Sequence, residues 1–256
     1  MQNSRRWQKE ILKLNNQPEQ NIGVLLVLIS AITFSTAGLF TKGVDAGAWE
    51  VIFWRGFFAA FFTVAWLIQK RAMHQNFVGL GQSGLAIAII GALGTAAFIS
   101  SFKLTTIANV SLIYAASPLL AALLAWVFIG ERVTFATMAG SIGALLGVGL
   151  IVSGSLGQVS LNGDLLALIM AIAMASIMVI YRKFPETPGA GPAVLSSVFL
   201  LPLAMILGEP FAISLLEVAI LGSFGFLFAI ASVTLAEGAK RIPAGQTALL
   251  STLETP

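Results

Sequence analysis

Polar positions along this chain fall in short clusters, and the stretches between them are almost wholly apolar. Eight such runs cover 22–41, 49–69, 83–102, 107–129, 134–153, 164–181, 190–208 and 216–236, each bounded by a short polar or Gly/Pro-containing turn. Every run is close to the ~20 residues needed to cross about 30 Å of hydrocarbon as a helix. A spanning β-barrel would instead alternate apolar and polar positions over segments of about ten residues. Lipid cannot satisfy free backbone groups, so unbroken apolarity at this length predicts helices. The expected fold is all-α, a polytopic transmembrane helical bundle. Residues 1–21, with Arg5, Arg6, Lys9 and Lys13, read as a polar amphipathic cytoplasmic tail ahead of the first span.

Composition supports this reading. Hydrophobic residues make up 57% of the 256, charged residues 10%, and the mean hydropathy is +0.93. A soluble domain carries about a quarter of its residues as charges. The net charge of +3 is small and dispersed, which argues against a nucleic-acid partner. Without cysteine there is no disulfide, thiol nucleophile or thiolate metal site. The first run begins at Ile22 and is too long for a signal-peptide core.

Basic residues fix an expected orientation. With the N-terminus in the cytoplasm, eleven of the fourteen Lys and Arg residues fall on the inner side, Lys42 and Lys103 on the outer side, and Arg55 within a span. Asp45, Glu50, Asp164, Glu209 and Glu217 fall outside. The expected location is the inner (plasma) membrane.

A ninth apolar run starts at Ala244 and reaches Pro256 after about 18 Å of helix. A terminal carboxylate at that depth is costly, so the chain is expected to continue past Pro256. The run also resembles the fourth span. Ala108-Asn109-Val110-Ser111-Leu112-Ile113-Tyr114-Ala115-Ala116-Ser117-Pro118 and Ala244–Pro256 both place small and hydroxyl residues early and both reach a proline, 138 positions apart. Two units of five spans are expected, 22–153 and an incomplete 164–256, with the boundary in Ser153–Gly163. An odd number of spans per unit inverts the second unit, the arrangement of many secondary transporters. One and a half spans are then missing from the second.

Several motifs are similar to those of a known family. Pro118 is followed by Leu119-Leu120-Ala121-Ala122-Leu123-Leu124-Ala125-Trp126 and then Gly130-Glu131-Arg132; Leu253-Glu254-Thr255-Pro256 looks like the start of the matching second-unit motif. Ser35-Thr36-Ala37-Gly38-Leu39-Phe40-Thr41-Lys42 and an arginine in span two fit as well. Over about 22–256 the chain resembles the EamA-type members of the drug/metabolite transporter superfamily. The resemblance implies ten spans, transport of small metabolites or drugs without ATP, often as export, and a central cavity walled by spans three, four, eight and nine.

A charge inside hydrocarbon is a functional-site hypothesis by default. Glu254 falls about 15 Å into span nine, where it could meet a cationic group or take up a proton; its alternative is a protonated carboxyl bonded to a neighbouring helix. Arg55 falls about 9 Å below Trp49-Glu50, from where it either reaches back to the headgroups or faces a cavity and holds a carboxylate. Together they would suit a zwitterion such as an amino acid. Asn109, Tyr114 and Gln246 are the better uncharged candidates, with Thr33, Ser35, Thr36, Ser111, Ser117, Thr247, Ser251 and Thr252 weaker because such hydroxyls commonly bond their own helix. Pro118 and Pro256 either free carbonyls at a site or simply kink the helix. Ala139, Gly143 and Gly147 form a small-residue face suited to close helix packing or a homodimer. The Met170, Met174 and Met178 stripe is expected to make packing or lipid contacts, a deformable substrate surface being the alternative. No phosphate-binding loop, metal cluster or nucleophile–base pattern appears, so no cofactor and no enzymatic activity are expected. A channel stays open as the alternative to a carrier.

Overall fold

The protein is described by a computed structural model, which covers residues 2–153 and 160–254, with the side chains of 2–17, 144, 147–153 and 254 outside the described set. Pro256, the stretch 154–159, the Gly147 end of the small-residue face, the tail side chains of Arg5, Arg6, Lys9 and Lys13, and the Glu254 carboxyl therefore lie outside the described residues. The chain forms α1 (Gln2–Phe34), α2 (Ala37–Lys42), α3 (Ala48–Gln69), α4 (Met73–Phe77), α5 (Gly81–Leu104) and α6 (Ile107–Tyr114). These are followed by α7 (Ser117–Ile129), α8 (Phe135–Ser153), α9 (Leu161–Lys183), α10 (Ala190–Leu207), α11 (Leu215–Ala239) and α12 (Ala244–Ser251). Among the described residues, seven helical segments are long and apolar enough to cross a membrane: 18–42, 48–69, 81–104, 107–129, 161–183, 190–207 and 215–239. Helix α8 lies at the fifth expected span. Helix α1 runs without a break from the tail through the first span to Phe34.

Two spans are broken, each for a local reason. Between α1 and α2, the hydroxyls of Thr33, Ser35 and Thr36 donate to the carbonyls of Ile29, Ile32 and Thr33, each at 2.7 Å. Such back-bonding competes with the helical ladder and bends helices. Between α6 and α7, Pro118 has no N–H to continue the ladder and instead sits in the first turn of a new helix. Helix α12 mirrors α6: both are eight residues long and both follow an extended residue, Thr106 before α6 and Pro243 before α12.

Side chains at the two ends of the bundle tie the spans together. At one end, hereafter the Asp164 end, Lys42 donates to the Thr105 carbonyl, Lys103 to the Val44 carbonyl, and Thr105 to Asp164. There too the carboxylates of Glu217 and Glu50 accept from the backbone of Ala46 and Glu209. The opposite end, the Glu131 end, carries Glu19, Glu131, Arg182, Glu237 and Arg241. Ion pairs among the described residues thus gather at the two ends of a largely apolar body, whose outward face exposes Ile32, Phe61, Leu93, Val127 and Ile206. In water such a belt would drive aggregation; in a bilayer it is the lipid contact.

Lipid tails are as apolar as leucine, so the helices gain little from hydrophobic burial against one another and depend on close contact. Helix α5 lies along α9, α10 lies between α3 and α5, and α11 lies against both α1 and α3. The α11 contacts run through glycine. A Cβ at Gly225 would sit 2.7 Å from both the Arg55 carbonyl oxygen and the Phe58 Cβ, and one at Gly238 would sit 2.5 Å from Val27 Cγ2. By contrast Ala139 is exposed and a Cβ at Gly143 would meet nothing within 4 Å, so this part of the α8 face has no partner among the described residues.

Gly225→Val should lower stability by about 1–3 kcal/mol through forced separation of α3 and α11, read as a lower melting temperature in detergent. Gly143→Ala should leave the melting temperature unchanged. Equal behaviour of the two variants would mean that the α3–α11 approach is not limiting.

Candidate functional site

Stripes of small, sulfur-containing and aromatic residues on six spans border a partly open central cavity, with about 1080 Å³ of atom-free space when the open solvent at its mouth is counted. On α5 the stripe is Ile87, Gly91, Gly94, Thr95, Phe98 and Phe102, spaced at one helical face. On α9 it is Met170, Met174, Ile177 and Tyr181, and on α11 Phe228, Ser232, Leu235 and Ala236. Phe34, Ala37 and Gly38 close one side at the α1–α2 break, α6 adds Val110, Ser111 and Tyr114, and α10 adds Pro192, Ala193 and Ser196. The polar inlay consists of hydroxyls on Thr95, Ser111, Tyr114, Tyr181, Ser196 and Ser232, and no charged side chain lines the cavity among the described residues.

The expected wall is partly corrected by this geometry. Spans three, four and eight contribute, but α12, the ninth span, contributes no lining residue; α1–α2, α9 and α10 complete the wall. Helix α12 packs chiefly against α7 and α1, with smaller contacts to α9 and α8. Met170 and Met174 face the cavity, whereas Met178 is enclosed in the core.

The predicted residues are distributed unevenly around this space. Tyr114 lines it. Asn109 is buried toward the Asp164 end, where its amide donates to the Thr105 hydroxyl at 3.2 Å and that hydroxyl donates to Asp164 at 3.0 Å. Ser117 and Pro118 are buried at the start of α7, and Gln246 is half-buried in α12; none of the three lines the cavity.

Arg55 is only 1% exposed, so it does not reach back to the headgroups. Its guanidinium carbon lies 3.9 Å from the ring centroid of Phe228 and 5.7 Å from that of Phe224. Neither Nε nor Nη1 has a hydrogen-bond partner, and no carboxylate pairs with the residue among the described residues. A desolvated cation–π contact contributes about 2 kcal/mol, whereas an unpaired buried ion costs several. Aromatic contact alone therefore does not compensate this charge. Phe228 belongs to both environments, since it lines the cavity and carries the guanidinium on its ring. Phe34 meets Phe228 edge-on at 5.6 Å, and Phe40 stacks on Phe224 at 5.2 Å.

At the Glu131 end the cavity abuts an ion-pair junction. Gly130, with φ +68°, ends α7 in the left-handed region, and the amides of Gly130 and Glu131 bond back to Trp126 and Ala125. That reversal presents Glu131 to two other spans: one carboxylate oxygen accepts from Arg182 Nε at 3.2 Å, the other from the Ala244 amide at 3.4 Å. Arg182 also donates to the Lys240 carbonyl, and Arg241 pairs with both Glu237 and Glu19. The hydrogen bond to the Glu237 carboxylate raises the Arg241 guanidinium above its ordinary range. Tyr181 connects the two regions: it lines the cavity, its hydroxyl donates to the Gly189 carbonyl at 3.3 Å, and the Lys240 ammonium lies 5.8 Å from its ring centroid.

A helical bundle with a lipid belt, polar ends and an internal cavity defines a multi-pass membrane protein. Residues 21–153, more than half of the chain, match the EamA-like transporter family, and the protein belongs to that family. It is similar to an uncharacterized transporter, YyaM, of Bacillus subtilis (strain 168), at 26% identity over 91% of this chain and 82% of the relative. A solved crystal structure, described only as that of a protein, shares the fold with a TM-score of 0.75 at 22% identity, covering 91% of this chain and 84% of its own.

Glu131→Ala should leave Arg182 and the Ala244 amide without their shared acceptor, at a cost of about 1 kcal/mol given the partial exposure of the pair. Hydrogen exchange across 240–250 should accelerate; unchanged exchange there would show that Glu131 does not hold α12 in place.

Proposed function

We propose that this protein is a secondary carrier that moves small organic solutes through the central cavity by alternating access. The observation that carries the reading is the cavity itself, a space for a small molecule walled by six spans and lying between two polar junctions. Its apolar walls and hydroxyl inlay suit a metabolite- or drug-like solute with an apolar body and few polar groups. Methionines at 170 and 174 add a deformable surface that tolerates variation in shape.

In this reading the Glu131 end is cytoplasmic and the Asp164 end external, as the basic residues favour, and the membrane is the inner (plasma) membrane. Transport would run outward. The two junctions would open in turn, the Arg182–Glu131 and Arg241–Glu19 contacts releasing when the Lys42 and Lys103 contacts hold. Tyr114 would hydrogen-bond the solute, Glu254 would supply proton coupling or a countercharge, and Asn109, Ser117, Pro118 and Gln246 would act through the packing of α6, α7 and α12. The exposed face at Ala139 and Gly143 would serve a homodimer contact.

Counterflow of labelled solutes in proteoliposomes tests the proposal. Saturable, competable exchange is expected from the wild type, and Ser232→Trp, which places an indole in the cavity, should abolish it while leaving the elution profile of the purified protein intact. Flux that neither saturates nor shows counterflow would indicate a channel. Exchange undiminished by Ser232→Trp would mean that the pathway lies elsewhere.

A further inference from the structure

Resting on the carrier reading above, the geometry around Arg55 points to a specific solute class: we propose that Arg55 is a screened anchor for the carboxylate of an apolar monocarboxylate, admitted when the Phe228 ring swings off the guanidinium. Three observations converge. The guanidinium is enclosed, at 1% exposure, yet Nε and Nη1 have no acceptor. An arginine keeps its charge in any protein environment, so this site holds a permanent cation without a counter-ion among the described residues. Among the described aromatic residues against the guanidinium, Phe228 is the one that also lines the cavity, and its ring centroid is 3.9 Å from the guanidinium carbon.

The chemistry of the missing acceptor follows from the donors. Nη2 completes a two-donor edge of the guanidinium with either Nε or Nη1, and each of these edges matches the two oxygens of a carboxylate. One such group carries one negative charge and neutralises one arginine. A phosphate dianion would need a second cation, and the cavity lining supplies none among the described residues. The remainder of the solute would lie against Phe98, Met170, Met174 and Ile177, which calls for a flat apolar body. Phe228 then has two positions. Over Arg55 it provides the cation–π contact that partly compensates the charge in the unloaded carrier; turned aside, it exposes the donors and adds its face to the solute. An anionic solute thereby changes the packing of α11 against α3, and a neutral one of the same shape does not.

The test uses a matched acid and amide, 3-phenylpropionate and 3-phenylpropionamide, binding to the purified full chain in nanodiscs by calorimetry. The wild type should bind the acid about ten- to a hundredfold more tightly than the amide, the range expected for a charge-assisted hydrogen-bonded pair. Arg55→Gln should bring the acid down to the amide's affinity, Arg55→Lys should restore part of the difference, and Phe228→Leu should tighten the acid while leaving the ratio of amide affinities near one. Should Arg55→Gln fail to fold, judged by its helical circular dichroism, Phe228→Leu decides: unchanged acid affinity overturns the proposal. Equal binding of acid and amide by the wild type, or binding of neither, also overturns it. Saturable counterflow of neutral solutes, blocked by Ser232→Trp, would then still stand and separate failure of the Arg55 assignment from failure of the carrier reading.

Discussion

Helix α11 can touch α3 and α1 only because Gly225 and Gly238 have no side chain, and the position of the cavity depends on that approach. A Cβ at either residue would sit 2.7 Å or less from atoms of the facing helix. In a bilayer the helices are not driven together by exclusion from water, so such van der Waals contact does the holding. With α11 held close, Phe228, Ser232, Leu235 and Ala236 come to face the axis, and the same approach places Phe224 and Phe228 against Arg55. The solute space and the buried cation beside it are two results of one packing geometry.

The ends of the bundle answer a different requirement. The apolar spans carry few polar groups, and the described links between spans form mostly where the helices emerge. Glu131 can bridge α9 and α12 because Gly130 reverses the chain at the end of α7. Lys42, Lys103 and Asp164 do the corresponding work at the opposite end by engaging loop carbonyls and the Thr105 hydroxyl. These contacts are partly hydrated and individually weak. Either set of weak end links can break without unfolding the spans.

The helices were legible in the sequence because lipid imposes one strong rule, about twenty apolar residues per crossing, and seven of the expected spans meet it among the described residues. The break before Pro118 was legible too, since proline cannot continue the ladder. The break at Ser35–Thr36 was not, because the same hydroxyls sit harmlessly inside many helices. The cavity was the least legible part. Gly91, Thr95, Met170, Met174 and Phe228 are of the same types that elsewhere face lipid or pack in the core, and the period of a helix says which residues share a face but not what that face meets. Arg55 stood out as a charge in an apolar run, yet an arginine at that depth can snorkel or point inward with equal ease; only its 1% exposure separates the two. Asn109 stood out as an amide costly to leave unpaired in lipid, but its amide nitrogen is bonded to Thr105 toward the Asp164 end, clear of the solute space.

The central claim is that a single cavity is exposed to opposite sides of the membrane at different times. Because the chain has no native cysteine, single cysteines at Phe102, toward the Asp164 end, and Ala236, toward the Glu131 end, report on it cleanly. In sealed vesicles of known orientation, membrane-impermeant maleimide should label each position from its own side only. A solute that undergoes counterflow should change the two labelling rates in opposite directions. Simultaneous labelling of both positions from one side, or rates that ignore the solute, would contradict the account.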